Sequence, residues 1–390
     1  MKYDFDEVID RRHTASMKYD AGPLMGKPGD LLPVWVADMD FRMPQPAIDA
    51  VKQRADQGIF GYGLLPDGYF EAVRAWFADR YNWHVERPWL VTTPGVVFAL
   101  SLAVRTFTQP GDAVLIQPPV YYPFKSIIEE AGGRRLAQAP LVYGDGGYRI
   151  DFEAFEQVVE REKPKMFLLC NPHNPVGRVW TADELRRLGR ICLDHGVLVA
   201  SDEIHADFAR PGFTHTVFAS LDPRFADNCI VSTAPSKTFN LAGLQVSNIF
   251  IPNADLRHRY KDAYQALGLS SANTLGLTAA QACYEHGADW LAQLKDYLEG
   301  NHAELDAYLA QHAPQLRVVE PQSTYLVWVD CRALGLTDGQ LQQAVEQKAK
   351  LWVDFGSMFG EEGEGFVRLN IACPRSTVRE MARRLALIAQ

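Results

Sequence analysis

The sequence lacks paired cysteines, long apolar runs and an excess of basic residues. Its six cysteines include no Cys-x-x-Cys pair, so we expect buried free thiols in a reducing cytoplasm. The acidic segment 1–7 lacks the apolar stretch of a secretory signal, and no apolar run approaches the roughly 18 residues of a membrane span. A net charge of −9 disfavours a nucleic-acid partner, because phosphate binding requires a basic surface. We therefore expect a cytoplasmic protein without a membrane or nucleic-acid partner.

Several motifs of catalytic and cofactor chemistry are also missing. No Gly-x-Gly-x-x-Gly follows a predicted strand and no Gly-x-x-x-x-Gly-Lys-Ser/Thr occurs, which disfavours dinucleotide and P-loop nucleotide sites. No Gly-x-Ser-x-Gly occurs either, which disfavours an α/β-hydrolase. The ten histidines have no regular ligand spacing, and no second histidine lies four positions from His205 in the acidic segment 201–207. No metal site is therefore predicted.

What the sequence does contain is the composition of a large folded protein. Hydrophobic residues make up 47% and charged residues 22% of its 390 residues, as is typical of globular proteins. This length exceeds the size at which a single core stops growing. The pattern changes near residue 284 and predicts a large α/β domain over residues 46–284. Residues 1–45 and 285–390 are predicted to form a smaller α+β domain.

Short apolar strands alternate with helical segments through the large domain. Strands are predicted at residues 90–93, 113–116, 165–170, 197–201, 230–232 and 247–251. This alternation predicts a mostly parallel sheet covered by helices on both faces. Ligands of such sheets bind beyond the carboxyl ends of the strands. We expect one pocket there, formed by the loops that contain Gly95, Tyr121, Asn174, Asp202 and Lys237.

Lys237 is the residue around which this pocket is organised. It lies among small hydroxyl side chains just after a predicted strand, and apolar residues follow it. Burial lowers the pKa of a lysine, and its free amine can form a Schiff base with an aldehyde. The alternative is a solvated surface lysine, as most loop lysines are.

Two other charged side chains could complete such a site. Asp202 ends an apolar strand and could keep a ring nitrogen protonated, although a helix cap or a structural hydrogen bond is the alternative. Arg368 lies in a predicted strand of the smaller domain and could bind a carboxylate through two parallel hydrogen bonds. An ordinary surface ion pair is the alternative for Arg368.

A phosphate-binding position is also predicted. Gly95 precedes a helix whose free backbone N–H groups and dipole favour a phosphate, although a glycine there could serve only as a cap. Thr233 and Ser236 could add hydroxyl donors to the same anion. Tyr121 could stack on a planar ring or simply pack within its proline-rich loop. Tyr62, between two glycines, has the pattern of an ordinary loop aromatic.

Four motifs, in this order along the chain, resemble those of the fold-type I pyridoxal phosphate enzymes. They are Asn171-Pro172-His173-Asn174-Pro175-Val176-Gly177, Ser201-Asp202-Glu203-Ile204-His205, Ser236-Lys237 and Arg368-Leu369-Asn370. A closer resemblance, to the MalY/PatB group of cystathionine β-lyases or C–S lyases, rests on residues 5–12, 35–41 and 234–245. It covers nearly the whole chain. It implies a mostly parallel sheet of the seven-stranded type and a homodimer with active sites at the subunit interface.

The resemblance also implies a role for each site residue. Lys237 forms the Schiff base with pyridoxal 5'-phosphate, and Asp202 pairs with the nitrogen of its ring. Arg368 binds the α-carboxylate of an amino-acid substrate, with Ala37 close by. Asn174 and His205 are implied to lie near the ring oxygen, and Tyr121 is implied to stack on the ring face. The implied phosphate contacts are Gly95, Val96, Ser236, Thr233 and, from the other subunit, Tyr62.

The implied reaction is α,β-elimination from L-cystathionine and related cysteine thioethers, which gives a thiol, pyruvate and ammonia and has a role in methionine biosynthesis. An aminotransferase using the same lysine is the main alternative. Gln245 stands where aminotransferases of this fold often have arginine, Ala234 where they often have serine, and His205 where many have tyrosine. Gln245 favours the lyase. A non-enzymatic regulator built on this fold is a third hypothesis, and the sequence offers no specific sign of it.

Overall fold

The computed structural model of the protein describes residues 2–269 and 273–390. Its strands are β1 (Leu32–Pro33), β2 (Leu90–Thr93), β3 (Ala113–Ile116), β4 (Arg135–Gln138), β5 (Val142–Gly144), β6 (Gly147–Arg149), β7 (Met166–Cys170), β8 (Leu198–Asp202), β9 (Cys229–Thr233), β10 (Ser247–Phe250), β11 (Arg317–Val318), β12 (Leu326–Asp330), β13 (Leu351–Trp352), β14 (Asp354–Phe355) and β15 (Phe366–Asn370).

The helices are distributed along the whole chain. They are α1 (Met17–Asp20), α2 (Gln45–Asp56), α3 (Asp67–Tyr81), α4 (Val96–Phe107), α5 (Pro123–Glu129), α6 (Phe152–Glu162), α7 (Ala182–Asp194), α8 (Pro223–Asp227), α9 (Pro235–Thr238), α10 (Ala254–Ala266), α11 (Thr274–His286), α12 (Ala288–His312), α13 (Asp338–Gln343) and α14 (Arg375–Ala386). A π-helical turn, Ala344–Lys348, continues α13.

A seven-stranded sheet forms the centre of the molecule, with the strand order β2-β10-β9-β8-β7-β3-β4. Strand β10 is antiparallel to both of its neighbours, and the other adjacent pairs are parallel. Strand β2 therefore points the same way as β9, β8, β7, β3 and β4. The prediction of a mostly parallel sheet is confirmed. The loops that follow these strands all leave from one edge of the sheet.

The sheet is buried on both faces. Successive residues of a strand point to opposite sides, and in β3 Val114 packs into one apolar cluster while Leu115 packs into the other. All residues of β3, β7, β8 and β9 are buried, which explains why their sequences are almost continuously apolar. Helices α4, α5 and α10 cover one face of the sheet.

A four-stranded antiparallel sheet, with the order β11-β12-β15-β14, forms the core of the C-terminal part. Strand β1 of the N-terminal segment pairs in parallel with β13. This pairing supports grouping residues 1–45 with residues 285–390. We therefore propose a large domain over 46–284 and a smaller one formed by the two ends of the chain.

The sequence of residues 32–41 predicts a short extended segment, and the structure differs from this prediction. Only Leu32–Pro33 is a strand, and the remainder is irregular. Several backbone groups of residues 36–41 bond to side chains rather than to a neighbouring strand. Asn240 accepts from the N–H of Met39 and donates to the carbonyls of Met39 and Phe41. These bonds define the position of the 36–41 loop, which reaches the candidate site.

Over the described ranges, no helix is long and apolar enough to cross a membrane. No group of three or more histidine, cysteine, aspartate or glutamate side chains that could hold a metal ion occurs in the same ranges. All six cysteines are buried and free, so the prediction of buried free thiols is confirmed.

Candidate active site

A cavity of about 170 Å³ lies at the carboxyl ends of the parallel strands. It receives loops from β2, β3, β7, β8 and β9, because these strands end at the same edge of the sheet. The 36–41 loop contributes the remaining side. Nine of the residues predicted from the sequence line this cavity: Ala37, Gly95, Val96, Tyr121, Asn174, Asp202, His205, Ser236 and Lys237.

Lys237 lies in α9, the short helix that begins two residues after β9. Its Nζ donates a hydrogen bond to the carbonyl oxygen of Ala37 at 2.8 Å. Burial lowers the pKa of the Lys237 ammonium to about 8, and the Arg368 cation acts in the same direction, while the carboxylates of Asp38 and Asp202 oppose the shift. Both protonation states of Lys237 are therefore populated near neutral pH. Lys237 is partly buried and hydrogen-bonded, which disfavours the surface-lysine alternative.

Asp202 is the last residue of β8 and is buried between β7 and β9. The backbone N–H of Ile204 donates to its Oδ1 at 3.1 Å. Burial raises the pKa of the Asp202 carboxyl to about 7, although the Ile204 N–H and the Lys237 cation both favour the ionised form. Because burial disfavours the ionised form of this carboxyl, a cationic partner in the cavity, such as a protonated ring nitrogen, would stabilise its carboxylate.

His205 and Asn174 line the same cavity as this carboxyl. Burial lowers the pKa of His205 to about 3, and the Lys237 and Arg368 cations lower it further. The imidazole is therefore neutral. Its buried Nδ1 has no hydrogen-bond partner among residues 2–269 and 273–390. An unpaired nitrogen in a cavity wall can form a hydrogen bond with a polar ligand. Asn174 Oδ1 accepts from Arg368 at 3.0 Å, and its amide NH₂ group is the part left for a ligand.

Gly95 and the start of α4 form the anion-binding side of the cavity. No side chain of the described residues caps the first turn of this 12-residue helix. Its first backbone N–H groups, together with the positive end of the helix dipole, are therefore available to an anion. A Cβ atom at Gly95 would meet nothing within 4 Å, so the space beside it is open. Ser236 lines the same cavity and can add a hydroxyl donor.

Together these features fit pyridoxal 5'-phosphate, the cofactor implied by the sequence. The buried lysine suits an aldehyde, the uncompensated Asp202 carboxyl suits a pyridine nitrogen, and the open start of α4 suits a phosphate. The unpaired His205 nitrogen and the Tyr121 ring remain for the polar edge and the face of a planar ring.

Arg368, in β15, lies just outside the cavity lining and is buried. It donates to Asn174 Oδ1 at 3.0 Å and to the carbonyl oxygen of Trp35 at 3.1 Å, and it forms a close ion pair with Asp354. Both members of this pair are almost fully buried, so the surface-ion-pair alternative is wrong. The Nε of Arg368 has no partner among the described residues, and Asn174 connects the guanidinium to the cavity.

Three other residues singled out in the sequence lie away from this cavity in the single chain. The hydroxyl of Thr233 is buried and donates to the carbonyl oxygen of Asn248 at 3.3 Å. Tyr62 is fully exposed. Gln245 is exposed as well, and its neighbour Val246 lines the cavity instead.

Sequence reasoning missed residues that act through tertiary contact. The hydroxyl of Tyr325 donates to the Ala37 carbonyl at 3.0 Å, so this oxygen accepts from both Tyr325 and Lys237. Asp354, the partner of Arg368, lies 14 positions before it in another strand. No local pattern marks either residue. Cys170, which lines the cavity at the end of β7, could have been found from its strand-end position.

A partly buried charge network holds the 36–41 loop from the N-terminal side. Arg11 donates to Asp38 at 2.6 Å and to Asp40 at 2.8 Å. Lys18, which is 1% exposed, donates to the other oxygen of Asp40 at 2.8 Å, and the Tyr19 hydroxyl donates to the same oxygen at 3.0 Å. From the opposite side, Asn370 donates to the carbonyls of residues 36 and 38, both at 2.6 Å. The carbonyl that meets Lys237 is therefore fixed from two sides.

Comparison with known proteins gives consistent results. A model of the aminotransferase class I and II family matches residues 36–385. The chain is 44% identical to cystathionine beta-lyase PatB from Bacillus subtilis over 98% of each chain. Cystalysin from Treponema denticola, whose structure contains a pyridoxal 5'-phosphate cofactor, has a TM-score of 0.95 and 38% identity, over 100% of this chain and 99% of that one. The PLP-bound C–S lyase from Staphylococcus hominis has a TM-score of 0.94 and 33% identity, over 100% and 98%.

Proposed function

The chain belongs to the aminotransferase class I and II family, and we propose that it is a pyridoxal 5'-phosphate-dependent carbon–sulfur lyase of this family. Its reaction is α,β-elimination from L-cystathionine and related cysteine thioethers, which gives a thiol and 2-aminoacrylate, and water then hydrolyses the aminoacrylate to pyruvate and ammonia. The family match confirms the family that the sequence resembled, and the likeness to solved structures confirms the predicted fold class.

The observation that carries the proposal is the partly buried Lys237, hydrogen-bonded to the Ala37 carbonyl in one cavity with Asp202, with its pKa lowered to about 8 by burial. This pair is what elimination next to an amino-acid α-carbon requires, namely a base that exchanges protons near neutral pH and a carboxylate for the cofactor ring. The choice of a lyase within the family rests on the likeness to PatB and to the two C–S-cleaving structures.

Residues of this chain would hold the cofactor at three points. Asp202 would pair with the ring nitrogen, Lys237 would take the aldehyde, and the start of α4 with Ser236 would take the phosphate. When bound, pyridoxal 5'-phosphate supplies an electron sink for the negative charge left on the substrate α-carbon. Asn174 and His205 would face the ring oxygen, and Tyr121 the ring face.

Lys237 moves the proton in this proposal. Its amine takes the proton from the substrate α-carbon, and the leaving sulfur then departs from the β-carbon as a thiolate. The Ala37 carbonyl, which accepts from Nζ at 2.8 Å, keeps the amine oriented while it is free. Tyr325 donates to the same carbonyl and so fixes its direction. A base held in one orientation loses little entropy on reaching the transition state.

Arg368 would bind the substrate α-carboxylate, with Ala37 nearby. Its Nε carries a donor without a partner among the described residues, and Asn174 links the guanidinium to the cavity. Asp354 keeps this buried cation compensated before substrate arrives. Binding by Arg368 would set the α-carbon in front of the lysine.

The proposed assembly is a homodimer with shared active sites. Four large apolar side chains are exposed within the irregular segment 59–64, which is unusual for a soluble surface. They are Ile59, Phe60, Tyr62 and Leu64. A second copy of the chain would cover them, and Tyr62 would then reach the phosphate of the neighbouring site. Tyr62 has no covering partner in the single chain, which accounts for its full exposure.

The proposed setting is amino-acid metabolism in the cytoplasm. Six buried free thiols are typical of proteins in a reducing compartment. The thiol released from cystathionine is homocysteine, which is methylated to methionine, so a role in methionine biosynthesis follows from this substrate.

The test is release of thiol and pyruvate from L-cystathionine by the purified protein without any 2-oxo acid. Wild type is expected to release both in equal amounts. Lys237→Ala is expected to release neither, because it removes the base. Lys52→Met, at an exposed position on α2, is the matched control and should behave as wild type.

Transamination is the competing outcome, since the chain is also 26% identical to a probable N-acetyl-LL-diaminopimelate aminotransferase from Bacillus subtilis. A 2-oxo product that forms from amino-acid donors only when a 2-oxo acid acceptor is added, with no thiol release, would establish an aminotransferase. If the protein catalyses neither reaction, the enzyme proposal fails and the regulator hypothesis gains support.

A further inference from the structure

A second cavity, of about 190 Å³, adjoins the lysine cavity. Tyr121 lines both cavities, so they share one aromatic wall. The second cavity lies between α5 with the loop before it and the segment 357–362 that follows β14. Residues of both proposed domains therefore form it, a common position for ligand sites.

A row of aromatic rings leads from the first cavity to the second. The ring centroids of Tyr121 and Tyr122 are 5.5 Å apart, and those of Tyr122 and Phe359 are 5.7 Å apart. The guanidinium carbon of Arg368 lies 4.9 Å from the centroid of Phe359. A substrate held near Arg368 by its α-carboxylate therefore has the second cavity within reach of its side chain.

The segment that closes this cavity has a fixed conformation. Gly356 and Gly363 approach so closely that a Cβ atom on either would collide with the carbonyl oxygen of the other. Gly360 has a φ of 132°, and a Cβ there would lie 2.8 Å from Pro118. The N–H of Val120 also donates to the carbonyl oxygen of Phe359 at 3.0 Å. The segment is thus built to lie against the loop before α5, and its side chains are held at the cavity.

The charges in this cavity are of both signs. Lys125 of α5 supplies a cation, and Glu361 and Glu362 supply carboxylates. Met358 and Phe359 provide apolar surface between them. Lys125 is more than half exposed, and its closest carboxylate partner, Glu129, is 3.8 Å away, so the ammonium can turn towards a ligand. One cation, two carboxylates and an apolar surface match a short hydrocarbon chain that ends in both an ammonium and a carboxylate.

We propose that the second cavity binds the leaving half of the substrate and selects thioethers whose leaving thiol ends in an amino-acid zwitterion. Lys125 binds the distal carboxylate, and Glu361 with Glu362 binds the distal ammonium. This inference rests on the proposed lyase function and assigns residues that recognise the leaving half of its substrate.

Four thioethers test it by their distal charges. L-Cystathionine carries both charges, S-(3-carboxypropyl)-L-cysteine lacks the distal amine, S-(3-aminopropyl)-L-cysteine lacks the distal carboxylate, and S-methyl-L-cysteine lacks both. Lys125→Met should lower kcat/KM about threefold to fivefold for the two substrates with a distal carboxylate and leave the other two unchanged. The double variant Glu361→Gln/Glu362→Gln should lower kcat/KM by a similar factor only for the two substrates with a distal amine.

The pattern across substrates separates recognition from a structural effect. S-Methyl-L-cysteine reports the integrity of the lysine cavity, and Lys52→Met should leave all four values unchanged. Equal losses on all four substrates, or no loss on any, would overturn the proposed subsite while leaving the lyase in place. If the wild-type protein releases no thiol from any of the four, the proposed function itself fails.

Discussion

Burial of Lys237 has a measurable consequence for its titration. Its amine is enclosed and hydrogen-bonded to a carbonyl, and burial holds its pKa at about 8, whereas a free lysine side chain titrates at about 10.4. Since only the neutral amine is nucleophilic, its reactivity appears as pH rises through the folded-state pKa. The neighbouring cation of Arg368 acts in the same direction as burial.

We expect Lys237 in the cofactor-free protein to acetylate with an apparent pKa of about 8. The measurement is competitive labelling with acetic anhydride at trace level over pH 6–10, read peptide by peptide by mass spectrometry. Exposed lysines in the same digest are the internal control and should gain reactivity about two pH units higher. A Lys237 peptide that titrates with the exposed lysines would contradict the buried environment.

The sequence predicted the residues that follow strand ends and missed those that act across domains. Asp202, Asn174 and Lys237 could be found because each follows an apolar strand, and parallel strands bring their ends together. Tyr325 and Asp354 carry no such signal, since their roles depend on where the smaller domain docks. The roles assigned to the individual site residues stay predictions until variants are measured.

At the level of secondary-structure elements, the irregular 36–41 loop depends on Asn240. This residue has a φ of 58°, in the left-handed region, and its side chain makes three hydrogen bonds to the backbone of the loop. Asparagine combines tolerance of this conformation with donor and acceptor groups on a short side chain. The same loop supplies the carbonyl that meets Lys237, so its position bears on catalysis as well as stability.

Asn240→Gly is expected to lower the free energy of unfolding by about 2–4 kcal/mol, because three partly buried hydrogen bonds are lost while the backbone conformation stays favourable. Asn240→Ala should cost about 1 kcal/mol more, since alanine disfavours this backbone conformation. Urea denaturation of the cofactor-free protein measures both. An alanine variant as stable as the glycine variant would show that the left-handed conformation is not required.

Helix and strand positions were predicted well where local chemistry decides them. Thr181 and Glu184 have the Thr-x-x-Glu spacing that predicts a capping box, and they form one at the start of α7. The sequence of segment 32–41 predicts an extended conformation, whereas the segment is mostly irregular. Its backbone is satisfied by Asn240 and Asn370, which lie about 200 and more than 300 positions away, and a local pattern cannot reveal such bonds.

On the scale of the whole molecule, the N-terminal segment is joined to the core by buried charges. Asp40 accepts from Arg11, Lys18 and Tyr19, and Lys18 is 1% exposed. Asp40→Ala leaves the Lys18 cation buried without its carboxylate, and we expect a loss of about 3–5 kcal/mol in the free energy of unfolding. Lys18→Met with Asp40→Ala should be less destabilised than Asp40→Ala alone. Thermal and urea unfolding measure this difference, and a double variant as unstable as the sum of the two single variants would contradict the pairing.

The exposed apolar segment 59–64 is expected to hold two copies together. Ile59→Asp with Leu64→Asp should convert the dimer into a monomer, because buried charges without partners oppose association. Light scattering coupled to size exclusion measures the mass. Leu24→Asp, at an equally exposed leucine elsewhere, is the control and should leave the mass unchanged. A wild-type protein that elutes as a monomer would contradict the proposed assembly.

The contacts around Asp40 also determine where the N-terminal boundary of an expressed fragment should lie. The family match begins at residue 36, so a fragment trimmed to that boundary would keep Lys237 and the carbonyl of Ala37. It would omit Arg11 and Lys18, leaving Asp40 enclosed without either cation. It would also remove Phe5, whose ring packs against Phe41 and Trp290. Such a fragment would carry every predicted catalytic side chain but would lack one of the two sets of contacts that hold the loop next to the lysine.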